Sequence, residues 1–353
     1  LLDPNDPMFR FWGVRLLGDQ GHVSGESVNA MAELAKTETD VRVQSQLAAT
    51  AKRLAPAQTI QLVDALLTNA SDDSDTFLPL LLWWAIEPNS NIATSKESPL
   101  HVGSTPLVRN ALRPRLVRRL VAQGDTAWDK ACANLLSTSY ETAHLDTLLE
   151  NVNLGLDDRA GRQGSTMRGA LYDTYSETTD GTTEEEAQEV PLAPALKNRI
   201  LDLWGIVPDN PVRLALATRL NHQPALDLAK KTLGDPASPD ALRIALIGPY
   251  SKAMGEKTVP ELLTLATGES SDALRQAALS ALRRFDSPTI GKELSQAYDA
   301  LPPSLLVNTR QLLFSRAAWT GDLLALVDAG QLEADAIPVF ELRRVAQHND
   351  DNL

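Results

Sequence analysis

The residue types that most often carry chemistry are few in this chain and stand far apart. Five histidines, His22, His101, His144, His222 and His348, are scattered along the sequence. None forms H-E-x-x-H or the paired helical spacing that lets two imidazoles share a zinc ion. Cys132 is the single cysteine, which removes internal disulfides, cysteine-based zinc sites and C-x-x-C-H haem attachment. Its setting, Trp128-Asp-Lys-Ala-Cys-Ala-Asn-Leu-Leu136, is that of a small buried helix residue rather than a nucleophile. Gly21-His-Val-Ser-Gly25 is not a nucleophile elbow, because its serine comes one place late. Gly248-Pro-Tyr-Ser-Lys-Ala-Met-Gly-Glu-Lys-Thr258 briefly resembles a phosphate loop. Its spacer is too long and Glu256 parts Gly255 from Lys257, so the expectation is an inter-helix turn. The run from Tyr172 to Glu189 holds seven acids and no base, but without the alternate spacing of a calcium loop. The expectation is therefore no catalytic residue, no metal site and no cofactor in this segment.

Two features have the character of surfaces. Arg109, Arg113, Arg115, Arg118 and Arg119 lie within residues 106–121, a stretch without an acid. They could dock an anionic partner or the acidic run; a solvated helix face is the plainer reading. Pro114 is expected to kink this helix or split it in two. Trp83 and Trp84 sit in the most apolar stretch, Leu78-Pro-Leu-Leu-Leu-Trp-Trp-Ala-Ile86. Core packing is expected for one ring, while the other could line an interface, where tryptophan is enriched.

The elements that must position these residues are helical. Among 353 residues there are 57 Leu and 45 Ala against 28 Val plus Ile. Leu and Ala favour helices and the β-branched pair favours strands, so sandwiches, barrels and Val/Ile-rich parallel sheets are excluded. The longest apolar run, residues 77–86, has ten residues and a proline, about half of what a bilayer requires. A soluble chain without membrane insertion is expected. The formal charge of −13 opposes the phosphate neutralisation that drives nucleic-acid binding.

A helical unit recurs. Asp272-Ala-Leu-Arg-Gln-Ala-Ala-Leu-Ser-Ala-Leu-Arg-Arg-Phe285 places apolar residues on a stripe two positions wide, enough to face two neighbours. Ser287 and Pro288 then cap and open a second helix. Similar pairs start at Asp6, Asp40, Asn210 and Asp240. The arginine early in each first helix sets the period: Arg10 to Arg42 spans 32 residues, Arg213 to Arg243 spans 30, and Arg243 to Arg275 spans 32. Arg310 and Arg343 continue the series. A period in the low thirties with two helices per unit is an α-solenoid signal, and acidic-x-Val/Leu-Arg is closest to HEAT repeats. Asp240/Arg243 and Asp272/Arg275 are expected to form a ladder between adjacent repeats. The regularity breaks in the middle. The expected organisation is an N-terminal run of repeats at 1–155, an irregular segment with a mobile acidic loop at 156–196, and a C-terminal run at 197–353 in one continuous solenoid.

Several segments then share the wording of one family: Phe11-Trp-Gly-Val-Arg-Leu-Leu-Gly-Asp19, Val43-Gln-Ser-Gln-Leu-Ala48, Pro79-Leu-Leu-Leu-Trp-Trp-Ala85 and Leu342-Arg-Arg-Val-Ala-Gln-His348. They resemble the helical middle region of large PVC-type haem-binding C-x-x-C-H proteins of planctomycetes and verrucomicrobia, also known as membrane-bound dehydrogenases. The resemblance spans most of the chain, is best over its first 90 residues or so and is poor over 157–200. It implies a preceding β-propeller similar to sugar dehydrogenases, a following c-type cytochrome, and an exported, periplasmic electron-transfer protein. The opening Leu1-Leu2-Asp3-Pro4, without initiator Met or leader, suggests an excised piece. Neither flanking part is present, so no haem or dehydrogenase residue carries over. The expectation is an all-α, HEAT-like α-solenoid that scaffolds protein partners, either flanking modules or other subunits. Its rivals are a concave surface completing an oxidoreductase active site and, against the charge, a nucleic-acid-binding solenoid.

Overall fold

Capping residues legible in the sequence set where the helices start. Asp6 accepts a hydrogen bond from the Met8 amide at 2.8 Å, Asp40 from Arg42 at 2.9 Å and Asn210 from Val212 and Arg213 at 3.1 Å. Each satisfies amides that a helix start leaves without partners. The structure, a computed structural model, describes residues 5–19, 23–70, 74–90, 98–137, 141–173, 191–333 and 337–338, with side chains in the 142–173 helix described to residue 161. It is all α, and no strand occurs among the described residues.

The chain divides into two compact units, Leu1–Asp202 and Leu203–Leu353. The first holds α1 (Pro7–Gly18), α2 (Gly25–Ala35), α3 (Val41–Ala51), α4 (Pro56–Leu67), α5 (Leu78–Ile86), α6 (Pro99–Val102), α7 (Arg113–Gln123), α8 (Thr126–Leu136), α9 (Thr142–Asp173) and most of α10 (Pro194–Ile206). In it α1 packs on α3, α3 on α5, α2 on α4, and α7 on both α8 and α9. The second holds α11 (Pro211–Arg219), α12 (Gln223–Gly234), α13 (Asp240–Met254), α14 (Val259–Thr267), α15 (Asp272–Leu282), α16 (Pro288–Gln296), α17 (Pro303–Leu313) and α18 (Ala317–Asp328). Here alternate helices form two rows, α11–α13–α15–α17 and α14–α16–α18, joined where α14 packs on α15, α16 on α17 and α17 on α18, while α12 packs on α11 and α13.

The broad apolar stripes explain this arrangement. In α15, Leu274, Ala278, Leu279 and Leu282 are buried together, so one helix serves a neighbour in its own row and one in the other. Full burial of each leucine contributes about 1.5–3 kcal/mol. Small residues set the closest approaches. A Cβ on Gly155 of α9 would lie 2.7 Å from the Arg118 carbonyl oxygen of α7.

The recurring arginines act differently from the expected ladder. Arg213 donates to the Leu203 carbonyl at 3.1 Å, and Arg243 donates twice to the Leu233 carbonyl at 3.1 and 3.0 Å. Arg275 donates through Nε to the Gly268 carbonyl at 2.7 Å. Each guanidinium thus caps the C-terminal end of the preceding helix, where unsatisfied carbonyls and the helix dipole favour a cation. Arg243 meets Asp240 only along its own helix, at 3.5 Å, while Asp272 accepts from Ser304 of α17. Backbone carbonyls outcompete aspartates here because they are fixed at every helix end and cost no side-chain ordering.

Three further expectations meet the structure. Pro114 changes the helix type without breaking it: a π-helical turn, Leu107–Leu112, runs directly into α7. The missing proline N–H removes one α-helical bond from the register. Residues 156–173, expected to be irregular, continue α9, anchored by buried Leu156 and Arg159; most of the acidic run, 174–190, lies outside the described residues. Residues 248–254, expected in a turn, end α13 with Pro249 inside it, and the turn itself is Gly255–Thr258. Arg343 and the closing 342–348 segment lie outside the described residues.

Candidate functional site

α5 is apolar at every position from Leu78 to Ile86, so no single face of it can absorb all its side chains. Pro79, Leu82, Ala85 and Ile86 go into the core. The opposite face, with Leu80 and Trp84, is left over, and Phe77 just before the helix joins it. Asp75 fixes that corner by accepting from the Phe77 and Leu78 amides at 2.9 and 2.6 Å.

These residues line a groove of about 420 Å³ shared by α1, α3 and α5, in which Phe11 and Val41 face Phe77, Leu80 and Trp84. Phe77 is 67% exposed and Trp84 47%. Lys52 lies over the Trp84 ring at 5.1 Å, a cation–π contact worth about 0.5–1 kcal/mol at an exposed site. The rim is polar: Arg42 pairs with Asp40 at 2.8 Å. On α1 a second exposed stripe, Phe9, Trp12 and Leu16, follows helical spacing, with Arg15 over the Trp12 ring at 5.5 Å. An apolar centre with a charged margin is the anatomy of a protein-docking surface. Trp83 is half-buried and Trp84 exposed, so the pair divides between core and surface.

The five arginines do not form one open basic face. Arg113 is 1% exposed and donates to the carbonyls of Leu100 at 2.9 Å and His101 at 3.1 Å, to Gly103, and through Nη1 to His144 Nε2 at 3.1 Å. It holds the end of α6, so the surface expectation is corrected for this residue: a helix end lacking carbonyl partners recruited the guanidinium inward. Burial and then the cations Arg113 and Arg109 push the His144 imidazole down to about 4, so it is neutral and accepts. Arg109 pairs with Glu141 at 2.9 Å, Arg118 with Asp158 at 2.7 Å and Arg119 with Glu87 at 3.7 Å. Arg115 donates to the Ala111 carbonyl at 3.0 Å. The acids come from other segments of the chain, which a view of residues 106–121 alone does not contain.

Two buried carboxylates went unnoticed in the sequence. Asp129 of α8, 1% exposed, receives Arg159 Nη1 at 3.1 Å and the Ala193 amide at 2.7 Å. Arg159 also reaches the carbonyls of Gly124 and Pro191 at 3.1 Å. Glu38 accepts Arg10 at 2.6 and 2.9 Å and the amides of Thr39 and Asp40. Burial pushes its carboxyl up, but these hydrogen bonds, led by Arg10, hold it below the ordinary carboxylate range. Only Arg10, as a member of the periodic series, gave a sequence signal for either network. Among the described residues no three His, Cys, Asp or Glu gather as a metal would require, and no helix is long and apolar enough to cross a membrane.

No protein-family profile matches the chain, and no solved structure matches it. Among curated proteins, a self-sufficient cytochrome P450 monooxygenase of Phanerodontia chrysosporium is 24% identical over 274 residues, covering 65% of this chain and 25% of that protein. The chain thus spans about a quarter of that relative's length. A cytochrome P450 holds its haem iron by a cysteine thiolate. Cys132, the single cysteine, does not fit that task. It is fully buried within α8, where burial and then nearby Asp129 push the thiol well above its ordinary range. A thiolate ligand needs the opposite environment, electropositive and accessible.

Proposed function

We propose that this chain is a non-catalytic scaffold of HEAT-like helical hairpins, an α-solenoid segment that holds a protein partner against the α1–α3–α5 groove. The observation that carries the reading is the exposed apolar surface there, Phe77, Leu80 and Trp84, in one groove lined also by half-buried Phe11. Contiguous apolar surface of this kind marks interaction sites in soluble proteins. The repeat reading is supported by the arginine period, by the packing of alternate helices and by the guanidinium cap at successive helix ends.

The family resemblance supports a larger setting: the middle region of an exported, haem-binding, dehydrogenase-like electron-transfer protein. The partner is then a flanking module or another subunit. A second reading, a surface that completes an oxidoreductase active site in that larger protein, draws on the likeness to a monooxygenase.

A photo-crosslinking residue placed at Phe77 or at Trp84, in the protein expressed in its native host, tests the scaffold reading. A discrete protein adduct from both positions, with none from exposed Lys257 on the second unit, is the expected result. Absence of an adduct at 77 and 84 would overturn it. Turnover of added electron acceptors by the isolated chain would overturn the non-catalytic part.

A further inference from the structure

The groove of α1, α3 and α5 has a charge as well as an apolar surface. Its middle is one face of α3, where Val41, Ser45 and Ala49 follow four-residue spacing. Phe11 of α1 and the Phe77, Leu80 and Trp84 group of α5 complete the lining. At 1.5 Å per residue, the stretch from Val41 to Ala49 is about 12 Å long, which matches about two turns of a helix laid along it. The small side chains of Ser45 and Ala49 leave room between the larger aromatic ones.

The acids of this groove are engaged and its cations face outward. Asp75 accepts from the Phe77 and Leu78 amides, and Asp40 caps α3 through the Arg42 amide. In the Arg42–Asp40 pair the arginine side chain is 62% exposed and the aspartate 19%, so the cation is the charge that meets solvent. Lys52, an exposed residue, lies over the Trp84 ring. No ion pair of Lys52 occurs among the described residues; Asp72 and Asp73 lie outside them. On a chain of net charge −13, the outward charge beside this apolar strip is positive.

We propose that the groove takes an acidic amphipathic helix of a partner protein. The apolar stripe of that helix seats against Phe77, Leu80 and Trp84, and a carboxylate on its polar side pairs with Lys52. This rests on the scaffold reading and adds to it the chemistry of the partner. Recognition is of the helix-in-groove kind, in which anchors at i, i+3 or i+4 and i+7 fill the apolar strip. Lys52 is the principal charge, because Arg42 already holds Asp40. A basic helix is disfavoured, since it meets Lys52 and Arg42 with like charge.

Three labelled synthetic peptides test this against the full chain by fluorescence anisotropy. Each has about 16 residues, enough to form a helix, and all share one Leu/Phe stripe; their polar positions carry Glu, Gln or Lys. The Glu peptide is expected to bind about tenfold more tightly than the Lys peptide at low salt, with the Gln peptide between them. That order runs against the net charge of the chain. The gap should shrink to about twofold in about 0.5 M salt, as screening requires. Lys52→Glu, checked by an unchanged Tm, is expected to abolish or reverse the order, and Arg42→Glu to narrow it by a smaller factor. Phe77→Ser should weaken all three peptides alike. Equal binding of the three, with all weakened by Phe77→Ser, would overturn the acidic partner and leave the scaffold reading standing. Tighter binding of the Lys peptide, an order indifferent to Lys52→Glu, or no binding at millimolar concentration would also overturn it. The scaffold reading itself falls only with the crosslinks at 77 and 84.

Discussion

The two units tie their helices together with the same cation but favour different acceptors. In Leu1–Asp202, half-buried Arg10 meets Glu38 and buried Arg159 meets Asp129, beside one carbonyl cap, that of Arg113 on the end of α6. In Leu203–Leu353, Arg213, Arg243 and Arg275 meet backbone carbonyls, and no carboxylate there is buried among the described residues. A carbonyl cap is local, made to the end of the helix just before, and is available wherever a helix stops. A carboxylate tie is made across longer separations, as between Asp129 and both Arg159 and Ala193, 30 and 64 residues away. The regular unit therefore holds itself by repetition, and the irregular one by specific pairs that carry a desolvation cost when broken.

The sharpest way to break this contrast is Asp129→Ala. It leaves Arg159 buried without its charge partner, which costs about 3–5 kcal/mol. Urea unfolding of the variant should show the first unit melting early while the second keeps its midpoint. Replacing both partners, Asp129→Leu with Arg159→Met, is expected to recover much of the loss, because two apolar side chains leave no orphan charge. Loss in the double variant as large as in the single one would show that the backbone bonds of Arg159, rather than the ion pair, hold α8 to α9.

Acid offers a gentler comparison. His144 has its folded-state pKa depressed to about 4 from 6.5, so the folded state resists the proton that the unfolded chain takes up. Its contribution is present above pH 6.5 and is lost as pH falls through 6.5 toward 4, on the order of 3 kcal/mol. Asp64 and Asp129, whose carboxyls burial pushes up, shift the other way and oppose this trend. The informative quantity is therefore the difference between wild type and His144→Gln, whose amide oxygen still accepts from Arg113. Between pH 6.5 and 4 the variant should lose less stability than wild type, measured by thermal unfolding. Equal slopes would show that His144 is not held neutral by its burial beside Arg113.

Arg243→Ala probes the carbonyl caps. It leaves the Leu233 carbonyl buried without its donor, at a cost of about 1–3 kcal/mol. Arg275→Ala, at a half-buried position, should cost less, and its effect appears as a Tm drop of a few degrees. Neither loss should depend on pH between 4 and 7, since a carbonyl does not titrate.

This contrast also marks how far the sequence was readable. Composition and the width of the apolar stripes specify helices, and Asp6, Asp40, Asn210 and Ser287 mark four starts that the structure keeps. The arginine period was visible in the second unit because Arg213, Arg243 and Arg275 repeat one physical task at successive helix ends. What it binds was not, because a backbone carbonyl has no letter in a sequence. Asp129 and Glu38 were hidden for another reason: their partners are set by tertiary contact, and in an acidic chain two more acids attract no notice. Leu78–Ile86 announced an apolar helix with a face to spare, yet that Phe77 and Phe11 share its groove depends on how α1 meets α5 across α3.

That groove gives the smallest expected effect on stability and the clearest separation of fold from function. Phe77 and Trp84 are exposed, so Phe77→Ser and Trp84→Ser remove little buried area and should change unfolding free energy by no more than about 0.5 kcal/mol. Trp84→Ser also loses the Lys52 contact, and its cost should be the larger of the two. Leu82→Ala, one turn inside the same helix and fully buried, should by contrast cost about 2–5 kcal/mol. If the groove serves a partner, the serine variants abolish the crosslink placed at the other groove position while the melting curve stays in place. A serine variant that unfolds early would mean that these rings pack inward in solution, and the surface would then belong to the core of the first unit.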